Sequence, residues 1–174
     1  MKELLPASIV KNTFSASDLY RRADILQRFL EHFFFEPATS SDTRAHLIGT
    51  YYHDSDAETV GHASAVAAWG DEVLDAYSAD NLYERIQELK HTVRSFPKLT
   101  LYVPVRFSAA QIERIGQWCR TQIQADIMLD LKIDPGAVGG CAFAYNNAFH
   151  DVSFSYYSNK ERAAIVSLIR SYGN

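Results

Sequence analysis

Two stretches of strict apolar–polar alternation, separated by one helix length of amphipathic sequence, constrain this chain more than any other feature. Leu99, Leu101, Val103, Val105 and Phe107 alternate with Thr100, Tyr102, Pro104 and Arg106. Ile127, Leu129, Leu131 and Ile133 then resume the alternation, with Met128, Asp130 and Lys132 facing the other way. Successive side chains of a strand point to opposite faces, so a period of two fits a half-buried strand and does not fit a helix. Pro104 cannot donate to a ladder, which predicts an edge or unpaired position for the first strand. Between the two stretches, Ser108 and Gln111 make a capping box for a helix. Ile112, Ile115, Cys119 and Ile123 form its stripe, and Glu113, Arg114 and Arg120 lie off it.

The second stretch runs into I-D-P-G-A-V-G-G, residues 133–140. Pro135 drives Asp134 to an extended conformation, Gly136 tolerates a turn, and Gly139–Gly140 permit a path that a β-carbon would obstruct. The segment reads as a structural turn, because neither the G-x-G-x-x-G nor the G-x-x-x-x-G-K-[ST] phosphate-binding spacing is present. Residues 141–145 then read as a strand, Asn146–Asn147 as a hairpin turn, and residues 148–156 as the partner strand. Ser158 with Glu161 predicts the cap of a last helix, with Ala164, Ile165, Leu168, Ile169 and Tyr172 as its buried stripe. The order strand, helix, strand, strand, strand, helix predicts an α+β module, a small mixed sheet with two helices on one face.

Upstream of Phe96–Pro97 the pattern is helical. Residues 4–13 are ambiguous, with Pro6 best placed at a helix start. Ser15 and Asp18 open a helix in which Leu19, Ala23, Leu26, Leu30, Phe33 and Phe34 recur, and Pro37 ends it after Phe35. Residues 42–52 predict a short helix weakened by Gly49. Ser55 and Glu58 predict a cap for a helix over 57–77, with Val60, Ala63, Ala67, Leu74 and Tyr77 on one face. Asp80 is expected to cap a further helix built on Leu82, Ile86, Leu89 and Val93. The chain is thus expected to be an N-terminal helical bundle, 1–96, followed by a C-terminal α+β domain, 97–174.

Chemistry-bearing patterns are few. The six histidines show no metal-ligand spacing. His53-Asp54-Ser55-Asp56 fits helix capping better than cation binding, since the glycine and distal Glu of an EF-hand loop are missing. Cys119 and Cys141 are too few for a disulfide framework and read as buried thiols, which points to a reducing, cytoplasmic-side location. No cofactor, metal or catalytic set is expected. Asp151 and Ser153 read as a strand-end turn, and the neighbouring His150 points to the opposite face. Residues 1–97 hold 9 Lys and Arg against 15 Asp and Glu, net −6, and residues 98–174 hold 8 against 6, net +2. An acidic half argues against nucleic acid as its partner. No apolar run reaches the ~20 residues of a membrane span, and no signal peptide is read at the N-terminus. Phe33-Phe34-Phe35, Tyr51-Tyr52 and Tyr156-Tyr157 cannot all face inward, so an interface role is open for some of them.

The succession of alternating strand, D-P-x-x-V-G-G, apolar strand, polar turn, D-x-S at Asp151-Val152-Ser153 and terminal amphipathic helix resembles the C-terminal domain of the F-type ATP synthase delta subunit. The mitochondrial counterpart of that family is the oligomycin-sensitivity-conferring protein. In the family, D-x-S passes into the final helix within a few residues, whereas here Phe154-Ser155-Tyr156-Tyr157 intervene as strand. The resemblance implies a non-catalytic connector in the peripheral stalk, on the inner face of the membrane without insertion. Its helical domain would bind the N-terminal helices of alpha subunits, and its C-terminal domain would hold the C-terminal helices of b subunits. Implied partner-contact residues are Val138, Gly139, Gly140, Phe143 and Ile165; Asp134, Pro135, Asp151 and Ser153 are the structural turn. Besides a generic helical adaptor that would use the exposed aromatics, two other readings stay open. One is an E-type stalk subunit of vacuolar or archaeal ATPases, whose long charged stalk helix Pro37 and Gly49 forbid here. The other is a small α+β enzyme or ligand-binding domain with a helical lid and a polar site around His150, Asp151 and Ser153.

Overall fold

The computed structural model describes residues 5–35, 62–137 and 139–172. The chain divides into two compact units, Met1–Phe96 and Pro97–Asn174, and the fold is α+β, helices with a four-stranded mixed sheet.

In the first unit, α1 (Ala7–Lys11) follows Pro6, and α2 (Ala16–Phe35) begins where the Asp18 N–H donates to Ser15 Oγ at 3.4 Å. The expected helices over 42–52 and the start of 57–77 fall outside the described residues, as do His46, His53 and Tyr51–Tyr52. What is described of the 57–77 helix is broken: α3 (His62–Ala67) and α4 (Asp71–Leu74) flank Gly70, whose φ of 76° is incompatible with a continuous helix. The face that matters is correspondingly different, with Val66, Trp69, Leu74 and Tyr77 buried and Ala67 exposed. α5 (Leu82–Ser95) starts after Asn81 rather than Asp80. The Asn81 side chain serves the preceding turn, accepting from the Ser78 N–H at 2.8 Å and donating to the Ala76 carbonyl at 3.2 Å. Leu82, Ile86, Leu89 and Val93 of α5 are all buried, as the heptad-like spacing predicts. α5 runs antiparallel to α2, since Lys90 Nζ meets Asp24 Oδ1 at 3.0 Å and Tyr83 stacks on Phe35 with ring centroids 6.1 Å apart. Of the Phe trio, Phe35 is the exposed member.

The second unit builds its sheet in the order β2-β1-β3-β4 from β1 (Lys98–Val103), β2 (Met128–Ile133), β3 (Ala142–Tyr145) and β4 (Ala148–Asp151). β1 and β2 are parallel, Leu99 opposite Leu129 and Leu101 opposite Leu131, and β1 pairs antiparallel with β3. β1 is therefore an inner strand. It tolerates Pro104 because it ends at Val103, one residue earlier than the proline, so no ladder bond is asked of it. Parallel neighbours need a crossover, which α6 (Ala109–Gln122) supplies. Its capping box is complete: the Gln111 N–H donates to Ser108 Oγ at 3.3 Å, and the Ser108 N–H to Gln111 Oε1 at 2.8 Å. Leu99, Cys119, Ile127 and Leu129 are the buried centre, with Ile112, Ile115, Leu101, Phe143 and Tyr145 packed around it. Met128 is also fully buried, a departure from simple alternation at the first residue of β2. On the other sheet face the Thr100 hydroxyl donates to Asp130 Oδ2 at 3.3 Å, and Tyr102 meets Phe149 edge-on at 5.8 Å.

Two expectations fail after β4. Residues 152–156 are not strand: α7 (Phe154–Lys160) begins immediately past Ser153, and only Glu161 separates it from α8 (Arg162–Tyr172). The aromatic run that suggested a strand is helical because Ser153 caps it, its Oγ accepting from the Tyr156 N–H at 3.2 Å. Nor do two helices cover the sheet. α6 packs on it, while the main neighbour of α8 is α7 and its expected buried stripe is exposed. An amphipathic period marks an apolar face, and the described residues leave that face of α8 largely exposed.

Candidate functional site

The D-P-G-A-V-G-G turn and the D-x-S motif, 17 residues apart at Asp134 and Asp151, meet the end of the sheet at two points. At the first, the Asp134 N–H continues the β1–β2 ladder by donating to the Val103 carbonyl at 2.9 Å. Asp134 Oδ1 accepts from the Gly136 N–H at 2.9 Å, and its carbonyl from the Ala137 N–H at 3.1 Å, the local bonding that makes Asp favourable before Pro135. At the second, Gly139 and Gly140 adopt φ of 71° and 74°. A Cβ on Gly140 would lie 2.6 Å from the Val152 carbonyl oxygen, so the two backbones pass where only glycine fits. The Val152 N–H donates to the Cys141 carbonyl at 3.0 Å, and the Phe154 N–H to the Gly139 carbonyl at 3.1 Å, tying the start of α7 to the double glycine.

Asp151 completes the junction. Its Oδ1 accepts from the Ser153 N–H at 2.9 Å. The Ser153 hydroxyl and N–H together hold the Asp151 carboxyl below the ordinary carboxylate range, and Ser153 itself is buried. His150 faces the other way and stacks on Phe143, ring centroids 4.9 Å apart, so His150, Asp151 and Ser153 do not converge on one point. Among the described residues no group of three or more His, Cys, Asp or Glu is placed to hold a metal ion.

Beside this junction the sheet and α6 leave an apolar groove of about 510 Å³. Its floor is Leu101 and Val103 of β1 with Phe143 of β3; Ile115, Trp118 and Cys119 of α6 form one wall, and Gly140 and Cys141 lie at its end. Val105 and Phe107 hang over it from the segment after β1. Val105 and Trp118 are each 60% exposed, so the groove opens to solvent with large apolar side chains at its rim. Burial pushes the Cys119 thiol up from its ordinary value, which makes it a poor nucleophile. The groove offers shape and apolar area, and its described lining carries no acid, base or cation.

Of the residues singled out by the family-like motif, Gly140 and Phe143 line this groove, and Gly139 anchors α7 next to it. Ile165 lies apart from them on the exposed face of α8, and Val138 is outside the described residues. Trp118 is the groove residue that periodicity does not single out; Val105 and Phe107, read as part of the first strand, lie past its end at Val103. The continuing alternation past Pro104 was the available signal, since apolar residues at 105 and 107 beyond the strand must cover something. A shallower depression along α7 and α8 is lined by Lys160, Arg162 and Arg170. No helix among the described residues is long and apolar enough to cross a membrane. Compared with known proteins, the chain matches no family model and no curated protein sequence.

Proposed function

We propose that this chain is a non-enzymatic, delta-like connector of the peripheral stalk of an F-type ATP synthase, lying on the cytoplasmic face of the membrane. Its C-terminal unit would hold the C-terminal helices of b subunits, and its N-terminal unit the N-terminal helices of alpha subunits. The open apolar groove between α6 and the sheet carries this reading. A helix laid in a groove buries an apolar stripe and needs no catalytic group, which suits a part that transmits torque. Two further features support it. Both halves of the family-like motif, the double glycine and D-x-S, converge at the end of that groove. D-x-S is also followed by helix from Phe154, in place of the strand expected there, and the delta family passes from D-x-S into its final helix within a few residues.

The test is a titration of the intact chain with the C-terminal segment of a b subunit and the N-terminal peptide of an alpha subunit from the same source. Saturable binding of both is expected, the b segment lost on Val105→Asp and the alpha peptide unaffected by it. Binding of neither peptide by folded protein would overturn the reading, and a small apolar ligand would then be the better occupant of the groove.

A further inference from the structure

On α8, Ile165, Leu168, Ile169 and Tyr172 fall at i, i+3, i+4 and i+7, and they are 42%, 59%, 66% and 84% exposed. A contiguous apolar face of this kind marks a contact surface. The charge around it is as one-sided as the hydropathy. Residues 154–172 hold Lys160, Arg162 and Arg170 against Glu161 alone, 3 − 1, net +2, so the other residues of a chain with net charge −4 sum to −6. α8 itself contains no Asp or Glu. Arg162 and Arg170 lie outside the stripe, and with Lys160 they line the depression along α7 and α8. The basic segment of an acidic chain is thus the one that carries the exposed apolar face.

We propose that α8 docks this chain on the surface of an anionic lipid bilayer, with the helix lying in the plane of the interface. An apolar stripe on one side and basic residues on the other is the pattern of a helix that sinks its stripe about 5–10 Å into the boundary between headgroups and acyl chains. Its arginines then stay among the headgroups, reached by their long stems. The eleven residues span about 16 Å, too short to cross a bilayer and suited to lying flat on one. Tyr172 ends the stripe, and Tyr156 and Tyr157 of the adjoining α7 are about half exposed. Such rings, apolar in body and polar at the tip, settle at headgroup level. Charge complementarity selects the lipid. Each Lys or Arg close to an anionic surface strengthens binding about fivefold, whereas the acidic remainder of the chain is repelled, so the chain meets such a surface with this segment first. The proposal depends neither on the stalk reading nor on what fills the groove beside α6.

The test floats the purified full chain with vesicles of phosphatidylcholine, alone or with about one-third phosphatidylserine. The wild type is expected to bind the mixed vesicles at least about tenfold more tightly than the neutral ones, and to lose that preference as salt is raised. Leu168→Asp should abolish binding to both. Arg162→Gln combined with Arg170→Gln should bring binding to the mixed vesicles down to about the level of the neutral ones. Val105→Asp, at the groove beside α6, should bind as the wild type does. All four positions are taken as folded only where circular dichroism is unchanged, and Leu168 is solvent-exposed, so its replacement leaves the fold intact. Failure of the folded wild type to bind the mixed vesicles would overturn the proposal and assign the stripe to a protein partner. Equal binding to both kinds of vesicle, or binding that survives Leu168→Asp, would overturn it as well.

Discussion

Replacing Gly140 with alanine asks whether the double-glycine turn is a steric requirement of the junction or only a flexible link. Three glycines share a positive φ, 76° at Gly70, 71° at Gly139 and 74° at Gly140, but they differ in what an added Cβ would meet. At Gly70 nothing lies within 4 Å, and at Gly139 the nearest atom is Phe154 Cβ at an ordinary 3.7 Å. At Gly140 the Cβ would sit 2.6 Å from the Val152 carbonyl oxygen and 3.0 Å from Ser153 Cα. Alanine at Gly139 or Gly140 incurs left-handed strain of roughly 1–2 kcal/mol. Only Gly140→Ala adds overpacking against backbone, about 1–3 kcal/mol more, because Val152 is held by its bond to Cys141 and cannot swing aside. The total, roughly 2–5 kcal/mol, corresponds to a fall in melting temperature on the order of 8–40 °C for a unit of this size. Urea titrations followed by amide resonances of β3 and β4 would measure it in the right unit, with Gly139→Ala as the strain control. Equal stability of Gly140→Ala and Gly139→Ala, within about 0.5 kcal/mol, would refute the steric account.

The Tyr77 hydroxyl is buried with no partner among the described residues, and burial pushes its pKa up to about 12 from 10.0. The folded chain keeps this proton after the unfolded chain has lost it, so the contribution is full below pH 10 and lost as pH rises through 12. Tyr77→Phe should flatten that alkaline loss in Trp69 fluorescence and be neutral or up to about 1 kcal/mol stabilising near neutrality. The Asp151 carboxyl has the opposite sign: its pKa is lowered, so its contribution is present above the ordinary carboxylate value and lost as pH falls through the lowered one. Asp151→Asn should flatten the acid limb of an unfolding profile, and Ser153→Ala should cost about 1 kcal/mol in a thermal melt through loss of the α7 cap. In timed alkylation read by mass spectrometry, Cys141 should react at least roughly tenfold faster than buried Cys119; equal rates would contradict the placement of the two thiols.

Much of the second unit was legible because its signals are local. Alternation at 99–103 and 129–133, the Ser108–Gln111 box, and the Asn146–Asn147 turn, with φ of 49° and 62°, each specify their element within a few residues. The failures came where one local signal masked another. Phe154, Tyr156 and Tyr157 have the β-propensity of a strand, yet the serine before them decides for helix, and Ser158–Glu161 imitates a cap inside what is already helical. Gly70 looked tolerable among alanines until its positive φ split the helix. Periodicity also says that α8 has an apolar face without saying what lies against it, so the stripe was legible and its exposure was not. The groove was hardest to see, since it depends on how far α6 lies over β3, a distance that no stretch of sequence carries.

The inner position of β1 bears on how the C-terminal unit is made. The β3–β4 hairpin closes across two residues, an event of about 1–10 μs, but β1 must join Met128 of β2 thirty residues away and Ala144 of β3 forty-four residues from Thr100. Folding speed therefore rests on when β1 finds its place, and substitutions in β1 should slow refolding more than substitutions in the hairpin. During synthesis β1 leaves the ribosome first and waits roughly 2–9 s for those forty-four residues at about 5–20 residues per second. Until β2 follows, roughly 1.5–6 s after β1, Leu99, Leu101 and Val103 have both edges unpaired, and one edge stays open until β3 arrives, so this is the stretch of the nascent unit most in need of a chaperone.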